Sequence, residues 1–365
     1  MKKLVHKKHI SLTVLFYILT VSGIMFVVNA CTHKPKIADS NAVITSVVSA
    51  PAKSYIQGQK QSKIVTVLGI NETTGNTTET SVIFSQLEEI FTVTDPAVLT
   101  SLKNAYGEKK AIKITFDPWK GIVTEVNAIT DQERAIYYSR EIISSAGTSI
   151  RIDLSSLSED VLNRAPEMGV INTTTPGLTS VIPDMATAQL MFDYIVHQSC
   201  GVPGPYGVDY CITFQYCEDG CYARAHKMCY VLNNRYHYAT KKVFSFAYPS
   251  PSTLSVKAEK WGGCCIRWWY HVAPLVSIKT PTGTKAYVFD PAMFDQPVLL
   301  STWLHAQQNP VCQGGSIARV TSYNIQPTSA YSPAYYGDTT TFATDPMYAD
   351  TDSTMVNYHS LVSCP

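Results

Sequence analysis

Residues 32–199 contain no cysteine, although the chain of 365 residues has ten. Nine of the ten lie after residue 199. A chain divided in this way has two differently built regions. Charge is also sparse, at 16% of residues, with 29 basic against 28 acidic side chains and a net charge of +1. A balance this even, with no Lys/Arg stripe, excludes an electrostatic nucleic-acid binder. There is no C-x-x-C, which argues against a thioredoxin-type site and a zinc ribbon. No glycine period or heptad run supports a fibrous protein. Hydrophobic residues make up 45% of the chain, too many for disorder. The length suits two domains of about 100–200 residues each.

The N-terminus has the layout of an export signal. Residues 2–8 read KKLVHKK, and an apolar run extends from Ile10 to Val28. Val28-Asn29-Ala30-Cys31 follows and resembles the cleavage box of bacterial lipoproteins. On that resemblance Cys31 is the lipidated residue. Cleavage after Ala30 without lipid, or an uncleaved anchor, exports the same residues. Residues 1–31 are therefore read as the signal and 32–60 as a tether. The chain is expected to leave a bacterial cell as a lipid-anchored or periplasmic precursor, touching a membrane only through this end. The part of the chain beyond the tether is then releasable outside the cell.

Nine cysteines in an oxidising compartment leave at least one thiol unpaired. One nucleophile and up to four disulfides fit that count. The disulfide candidates are Cys200, Cys211, Cys217, Cys229, Cys264, Cys265, Cys312 and Cys364. Cys264 and Cys265 are adjacent, so each is expected to pair with a distant partner.

Residues 61–177 read as a small α+β domain with its linker. Ile64–Leu68, Ser81–Phe84, Ala111–Phe116 and Ile122–Ile129 are strand candidates. Val98–Tyr106 suggests a short helix or turn. Asp131–Ile143 suggests a charged helix packing Ile136, Tyr137, Arg140 and Ile143. The Pro/Gly/Thr-rich stretch PEMGVINTTTPGLTS over 166–180 is the best linker and a candidate site of nicking.

Residues 178–365 hold the cysteines. Helices are expected over Ala186–Val196, with Leu190, Met191 and Ile195 near one face, and over Cys221–Leu232. Strands are expected over Cys211–Phe214, Val243–Ala247, Cys265–Ala273, Leu275–Ile278 and Lys285–Phe289, with Pro274 as an interruption. The tail after residue 312 has little period and reads as irregular, held by Cys364. The many tyrosines of this domain suit a surface.

Chemistry concentrates in EDGCYARAHKMCYV, Glu218–Val231. Asp219-Gly220 is a turn signal able to start a helix, with Cys221 in its first turn. Backbone N–H groups there favour a thiolate. The bland reading makes Cys221 another disulfide partner. His226 lies five residues on, roughly 140° round the helix, and should not reach the sulfur. His271 is the better base, conspicuous in the apolar run Trp268-Trp269-Tyr270-His271-Val272-Ala273. Strand period places Trp269, His271 and Ala273 on one face and Trp268, Tyr270 and Val272 on the other. Trp268 and Trp269 read as either core or cleft wall. Asp290 ends the next strand before Pro291 and reaches the imidazole if the two strands are antiparallel neighbours.

Several stretches in order resemble the bacterial protein-glutaminases, secreted deamidases of protein-bound glutamine. They are SVIPDMA (Ser180–Ala186), HQSCG (His197–Gly201), CITF (Cys211–Phe214), DGCYARAHKM (Asp219–Met228), Cys264-Cys265, YHVA (Tyr270–Ala273) and FDPAMF (Phe289–Phe294). The resemblance implies an α+β catalytic domain over 178–365, transglutaminase/papain-like, with an antiparallel sheet and a nucleophile helix. It implies a Cys221-His271-Asp290 triad with no cofactor and no metal. It further implies a precursor whose N-terminal region, here residues 32–177 with the α+β prodomain at 61–177, covers the cleft until a protease removes it. Cys217 and Cys229 depart from the family pattern; they suggest an extra disulfide bracing the nucleophile helix or, if either stays reduced, a thiol that competes with Cys221 for reagents. The expected reaction is hydrolysis of the glutamine side-chain amide to glutamate and ammonia through a thioester. The partners are proteins or peptides with accessible glutamine. A cysteine peptidase, a transglutaminase and a non-enzymatic surface lipoprotein are the competing readings.

Overall fold

A computed structural model describes residues 60–364, except 73–79, 145–149, 152–153, 155–157, 166–176, 201–209 and 250. The signal region with Cys31, the tether up to residue 59 and residues 166–176 of the linker lie outside the described residues.

The first part is a closed five-stranded barrel. Its strands run round in the order Gln61–Glu72, Thr80–Phe84, Phe91–Val93, Ile122–Asn127, Ala111–Asp117 and back to the first. Closure leaves no strand edge open. Alternation turns Val65, Val67, Val82, Phe84, Ile114 and Phe116 inward, all buried. Phe91 fills the middle, edge-on to Phe84 and Phe116. The helix Pro96–Glu108 packs Val98 and Leu102 against this core. Asp95 starts it by accepting from the N–H of Ala97 at 2.7 Å, with Pro96 in the first turn where no donor is needed.

The expected helix over 131–143 is shorter, Asp131–Tyr138, and buries no residue. Ile136 is exposed, and Tyr137 is held instead by its hydroxyl, against Thr66 and Ser85. The chain then leaves the barrel. Ile142–Ser144 pairs with Thr341–Thr344, and Ile150–Arg151 pairs with Ser322–Gln326, so this segment adds edge strands to sheets built from later residues.

The second part centres on a six-stranded antiparallel sheet in the order Val298–Leu299, Gly283–Val288, Tyr270–Thr280, Lys241–Phe246, Ser322–Gln326, Ile150–Arg151. The helices Met185–His197 and Cys221–Asn234 pack on it. Leu190 is exposed on the first of these, while Met191 and Ile195 are buried. Pro274 does not interrupt its strand. Its carbonyl accepts from the Phe289 N–H, so its missing donor faces the end of the neighbouring strand, where no ladder bond is lost. Cys211–Phe214 makes only an isolated bridge, Ile212 to Ser199.

The tail is ordered, contrary to its weak period. It holds the strands Ser322–Gln326, Ala330–Pro333 and Thr341–Thr344 and the helix Ala349–Tyr358. Many tyrosines of the domain from residue 178 onward are core and not surface: Tyr216, Tyr222, Tyr270, Tyr331 and Tyr358 are all buried.

Among the described residues the disulfides are Cys200–Cys211, Cys264–Cys364 and Cys265–Cys312. Cys217 and Cys229 are free and buried, which corrects the expected fourth bridge. Cys229 lies two turns along the helix that begins at Cys221. Eight residues of rise are about 12 Å, and Cys217 sits before the other end, beyond the reach of about 7 Å between bridged Cα atoms.

Candidate active site

The helix Cys221–Asn234 begins at Cys221 because Gly220 takes φ 92°, in the left-handed region. A Cβ there would also lie 3.2 Å from the Tyr358 ring, so both the turn and the packing require glycine. Asp219 does not cap the helix. Its Oδ2 accepts from the hydroxyls of Tyr222 (2.9 Å) and Tyr358 (2.7 Å), and its Oδ1 faces the barrel domain. Cys221 is 1% exposed at the helix start.

His271 comes from the central strand, buried between two indoles. Trp268 stacks on it at 4.3 Å between ring centres and 8° between planes, and Trp303 lies 5.4 Å away at 24°. Trp268 was expected on the opposite face from His271. The run 265–273 is two strands, not one: Cys265–Trp268 pairs in another sheet and Tyr270 starts the central strand. The break at Trp269 folds Trp268 back over the imidazole.

Asp290 ends the neighbouring antiparallel strand and accepts from His271 Nε2 at 2.8 Å. Trp303 Nε1 donates to the same oxygen at 2.9 Å. Burial opposes charge on both groups. Their mutual attraction wins, so the imidazole is held above its ordinary pKa and the carboxyl below its own. Nδ1 is left to face the thiol side.

A second carboxylate, unanticipated from the sequence, occupies that side. Glu88 of the barrel domain is wholly buried, and it, Cys221 and His271 bring an oxygen, the sulfur and a ring nitrogen within 4.8 Å of one another. The acidic member of this tight cluster is thus Glu88, while Asp290 bonds the far side of the ring. Glu88 Oε2 lies 3.3 Å from His271 Nδ1. Its Oε1 accepts from the Cys221 N–H at 3.2 Å and from Arg224 Nη2 at 3.3 Å. Arg224 is itself buried and donates from Nη1 to the Tyr216 and Asp219 carbonyls, both at 2.7 Å. A thiolate, an imidazole and a carboxylate are also a metal-binding set. Here a guanidinium and an N–H already point at the carboxylate, an environment suited to an anion.

Burial raises the Cys221 pKa well above that of a free thiol, and the Glu88 charge adds to it, while Arg224 pulls the other way. Burial also raises Glu88, partly offset by His271 and Arg224. With Glu88 in place the sulfur is therefore held as a thiol.

His226 is not part of the cluster. Its Nε2 donates to the Asp345 carbonyl at 3.1 Å, and its Nδ1 accepts from Lys242 at 2.7 Å. Burial and the Lys242 charge depress it to about 2, and burial lowers Lys242 to about 8. Cys217 donates weakly to the Phe214 and Ala292 carbonyls, and burial pushes it to about 12, an unreactive thiol.

The only signal that points to Glu88 in the sequence is a pair of acids, Glu88-Glu89, inside the apolar run Leu87–Phe91. Its partners are 133 and 183 residues away.

A protein-family model described as glutaminase matches residues 188–307. The crystal structure of a pro-protein-glutaminase is similar with a TM-score of 0.57 at 26% identity, covering 84% of this chain and 95% of that one. A mutant of pro-protein-glutaminase gives 0.58 at 26%, with 84% and 96% covered. The protein-glutaminase from Chryseobacterium proteolyticum is 35% identical over 51% of this chain and 93% of its own, with a TM-score of 0.42. No curated protein matches.

Proposed function

Because the chain belongs to the protein-glutaminase family, we propose that it hydrolyses the side-chain amide of protein-bound glutamine through a thioester on Cys221. The observation that carries this reading is the placement of Cys221. It opens a helix beside an imidazole that Asp290 orients through Nε2.

In the reaction Cys221 gives its proton to His271 Nδ1, and the resulting thiolate attacks the amide carbon. The developing oxyanion lies where Glu88 Oε1 lies in the closed chain, against the Cys221 N–H and the Arg224 guanidinium. His271 gives the Nδ1 proton to the departing ammonia. The same nitrogen then takes a proton from water, which attacks the thioester and yields glutamate. Asp290 stabilises the imidazolium throughout. These roles make Cys221 the nucleophile, His271 the acid and base, and Asp290 the orienting carboxylate.

Residues 61–177 act as a covering prodomain, and Glu88 is its blocking residue. A domain joined in cis blocks at high effective concentration, so even a weak contact inhibits. Cleavage in the linker near residue 177 by another protease drops it to bulk concentration. The prodomain is the part joined to the N-terminal signal. If Cys31 carries lipid outside the cell, the same cut frees the catalytic domain.

The test is ammonia release from a glutamine-containing protein by the chain nicked near residue 177, beside a Cys221→Ala control. Ammonia without peptide fragments or cross-links supports the deamidase. Fragments indicate a peptidase, and cross-linked product a transglutaminase. Neither ammonia nor thiol reactivity indicates a binding protein.

A further inference from the structure

Away from the thiol, the barrel and the catalytic domain together enclose a cavity of about 730 Å³. That volume suits a small-molecule site, for which about 300–1,000 Å³ is usual. None of Glu88, Cys221, His271 and Asp290 lines it. Its walls are aromatic. Tyr106, Tyr137 and Tyr138 come from the barrel side, and Tyr335 and Tyr336 from the catalytic domain. Two of the hydroxyls are engaged. That of Tyr137 bonds Thr66 and Ser85 at 2.9 and 2.8 Å, and that of Tyr138 accepts from the Ala111 N–H at 3.0 Å. Those two residues have ring surface left to offer. Tyr106, Tyr138 and Tyr335 are exposed. Exposed rings grouped about one cavity, unlike single scattered ones, mark a binding site.

The polar groups define the ligand further. Among the described residues no carboxylate lines the cavity, whereas Lys109 and Arg140 do. Arg140 pairs with Asp350 through Nη2 at 2.7 Å and lies over the Tyr137 ring at 4.7 Å. Its Nη1 is buried without a hydrogen-bond partner. Gln86, another lining residue, is 4% exposed, and its Oε1 also has no partner. A ligand that satisfies this set brings an anionic group for the two cations, a donor for Gln86 and rings for the tyrosines. We infer that the cavity binds an aromatic anion carrying an N–H or O–H, and that this ligand clamps the barrel to the catalytic domain. Both domains supply wall, so the complete site exists only in the closed chain. Binding and closure therefore strengthen each other. The ligand keeps Cys221 covered even after the linker is cut. This goes beyond the reaction proposed above and rests only on the covering role of the barrel.

The test uses the intact chain, the chain nicked near residue 177 and two fluorescent probes. The probes share their rings and their N–H. 8-Anilinonaphthalene-1-sulfonate is the anion, and N-phenyl-1-naphthylamine is its uncharged counterpart. The sulfonate should bind the intact chain at one saturable site. Lys109→Asn should weaken the sulfonate by about threefold to fivefold, the size of an exposed charge pair, and leave the naphthylamine unchanged. Asparagine tolerates the left-handed backbone of residue 109 (φ 52°), so the fold is not at risk there. Ala334→Trp places an indole in the cavity and should weaken both probes about tenfold or more. In the nicked chain the sulfonate at ten times its Kd should slow iodoacetamide modification of Cys221 by about tenfold, the factor 1 + [L]/Kd by which closure gains. Absence of saturable binding overturns the inference. So does an equal effect of Lys109→Asn on both probes, binding that survives Ala334→Trp, or alkylation that bound sulfonate does not slow. If Ala334→Trp fails to fold, the Lys109→Asn comparison and the alkylation rate decide. Clamping by the sulfonate in a chain that releases no ammonia contradicts the deamidase reading and leaves this site standing.

Discussion

Closure of the barrel domain should take up protons, so raising the pH should open it. Glu218 precedes the nucleophile turn and is half-buried. Burial, and then the Asp117 carboxylate of the barrel strand Ala111–Asp117, raise its pKa from 4.5 to about 8. Glu89, of the barrel domain, is raised well above the usual range by burial, then by Glu218, Asp219, Glu88 and Asp117. Glu88, also of the barrel domain, is raised by burial as well, partly offset by His271 and Arg224. A group whose pKa is higher in the closed form stabilises closure fully below its open value. That stabilisation is lost as pH rises through the closed value. For Glu218 alone, the whole shift from 4.5 to about 8 sets the most that closure can take up, one extra proton between pH 6 and about 8 and almost none by pH 9. Two pH units of linkage at 1.36 kcal/mol each give about 3 kcal/mol, on the order of 100-fold in the closing equilibrium. The assay is the affinity of the barrel fragment in the nicked chain at pH 6, 7.5 and 9, read by gel filtration or tryptophan fluorescence. Binding should weaken steeply across this range. Glu218→Gln should flatten the slope by holding closure at pH 9. Tighter binding at pH 9, a flat profile in the unmodified chain, or an undiminished slope in Glu218→Gln refutes the reasoning.

Cys221→Ser and Cys221→Ala should keep the fold and lose turnover; iodoacetamide followed by mass spectrometry should modify Cys221 rapidly in the nicked chain and slowly in the intact one. Glu88→Ala in the intact chain should speed that alkylation, since it removes the charge beside the thiol and frees the Cys221 N–H. Asp290→Asn should lower kcat by about 10²–10⁴-fold in the nicked chain, because an amide neither stabilises the imidazolium nor keeps the ring orientation. His226→Ala should leave turnover measurable while costing about 1–3 kcal/mol in thermal unfolding, since Lys242 loses a buried partner.

What was legible in the sequence was local. Asp219-Gly220 before Cys221 marks a helix start, and the helix does begin there, but for a different reason: Gly220 supplies a left-handed turn, while Asp219 is spent on Tyr222, Tyr358 and the Glu88 N–H. The roughly 140° offset correctly separated His226 from the sulfur, because helix geometry carries over from any sequence. The strands of His271 and Asp290 are antiparallel neighbours joined by a two-residue connection after Thr280, a short-range pairing that sequence pattern reports well. Contacts between distant segments were not legible. Nothing in Leu87-Glu88-Glu89 says which thiol it will meet, and nothing in Cys264-Cys265 says that one pairs with Cys364 and the other with Cys312. The tail after residue 312 lacks period because several of its strands are buried through most of their length, so their residues need not alternate. The helix expected through Ile143 failed since Ile142–Ser144 finds a strand partner some 200 residues later.

The most direct test of the central claim is simultaneous measurement of ammonia and peptide products from a glutamine-rich protein incubated with the chain nicked near residue 177. Ammonia should appear with a mass gain of about one dalton per event and no change in chain length, and Cys221→Ala should abolish it. Chain cleavage, cross-linking, or ammonia release that survives Cys221→Ala would contradict a Cys221 protein-glutamine deamidase.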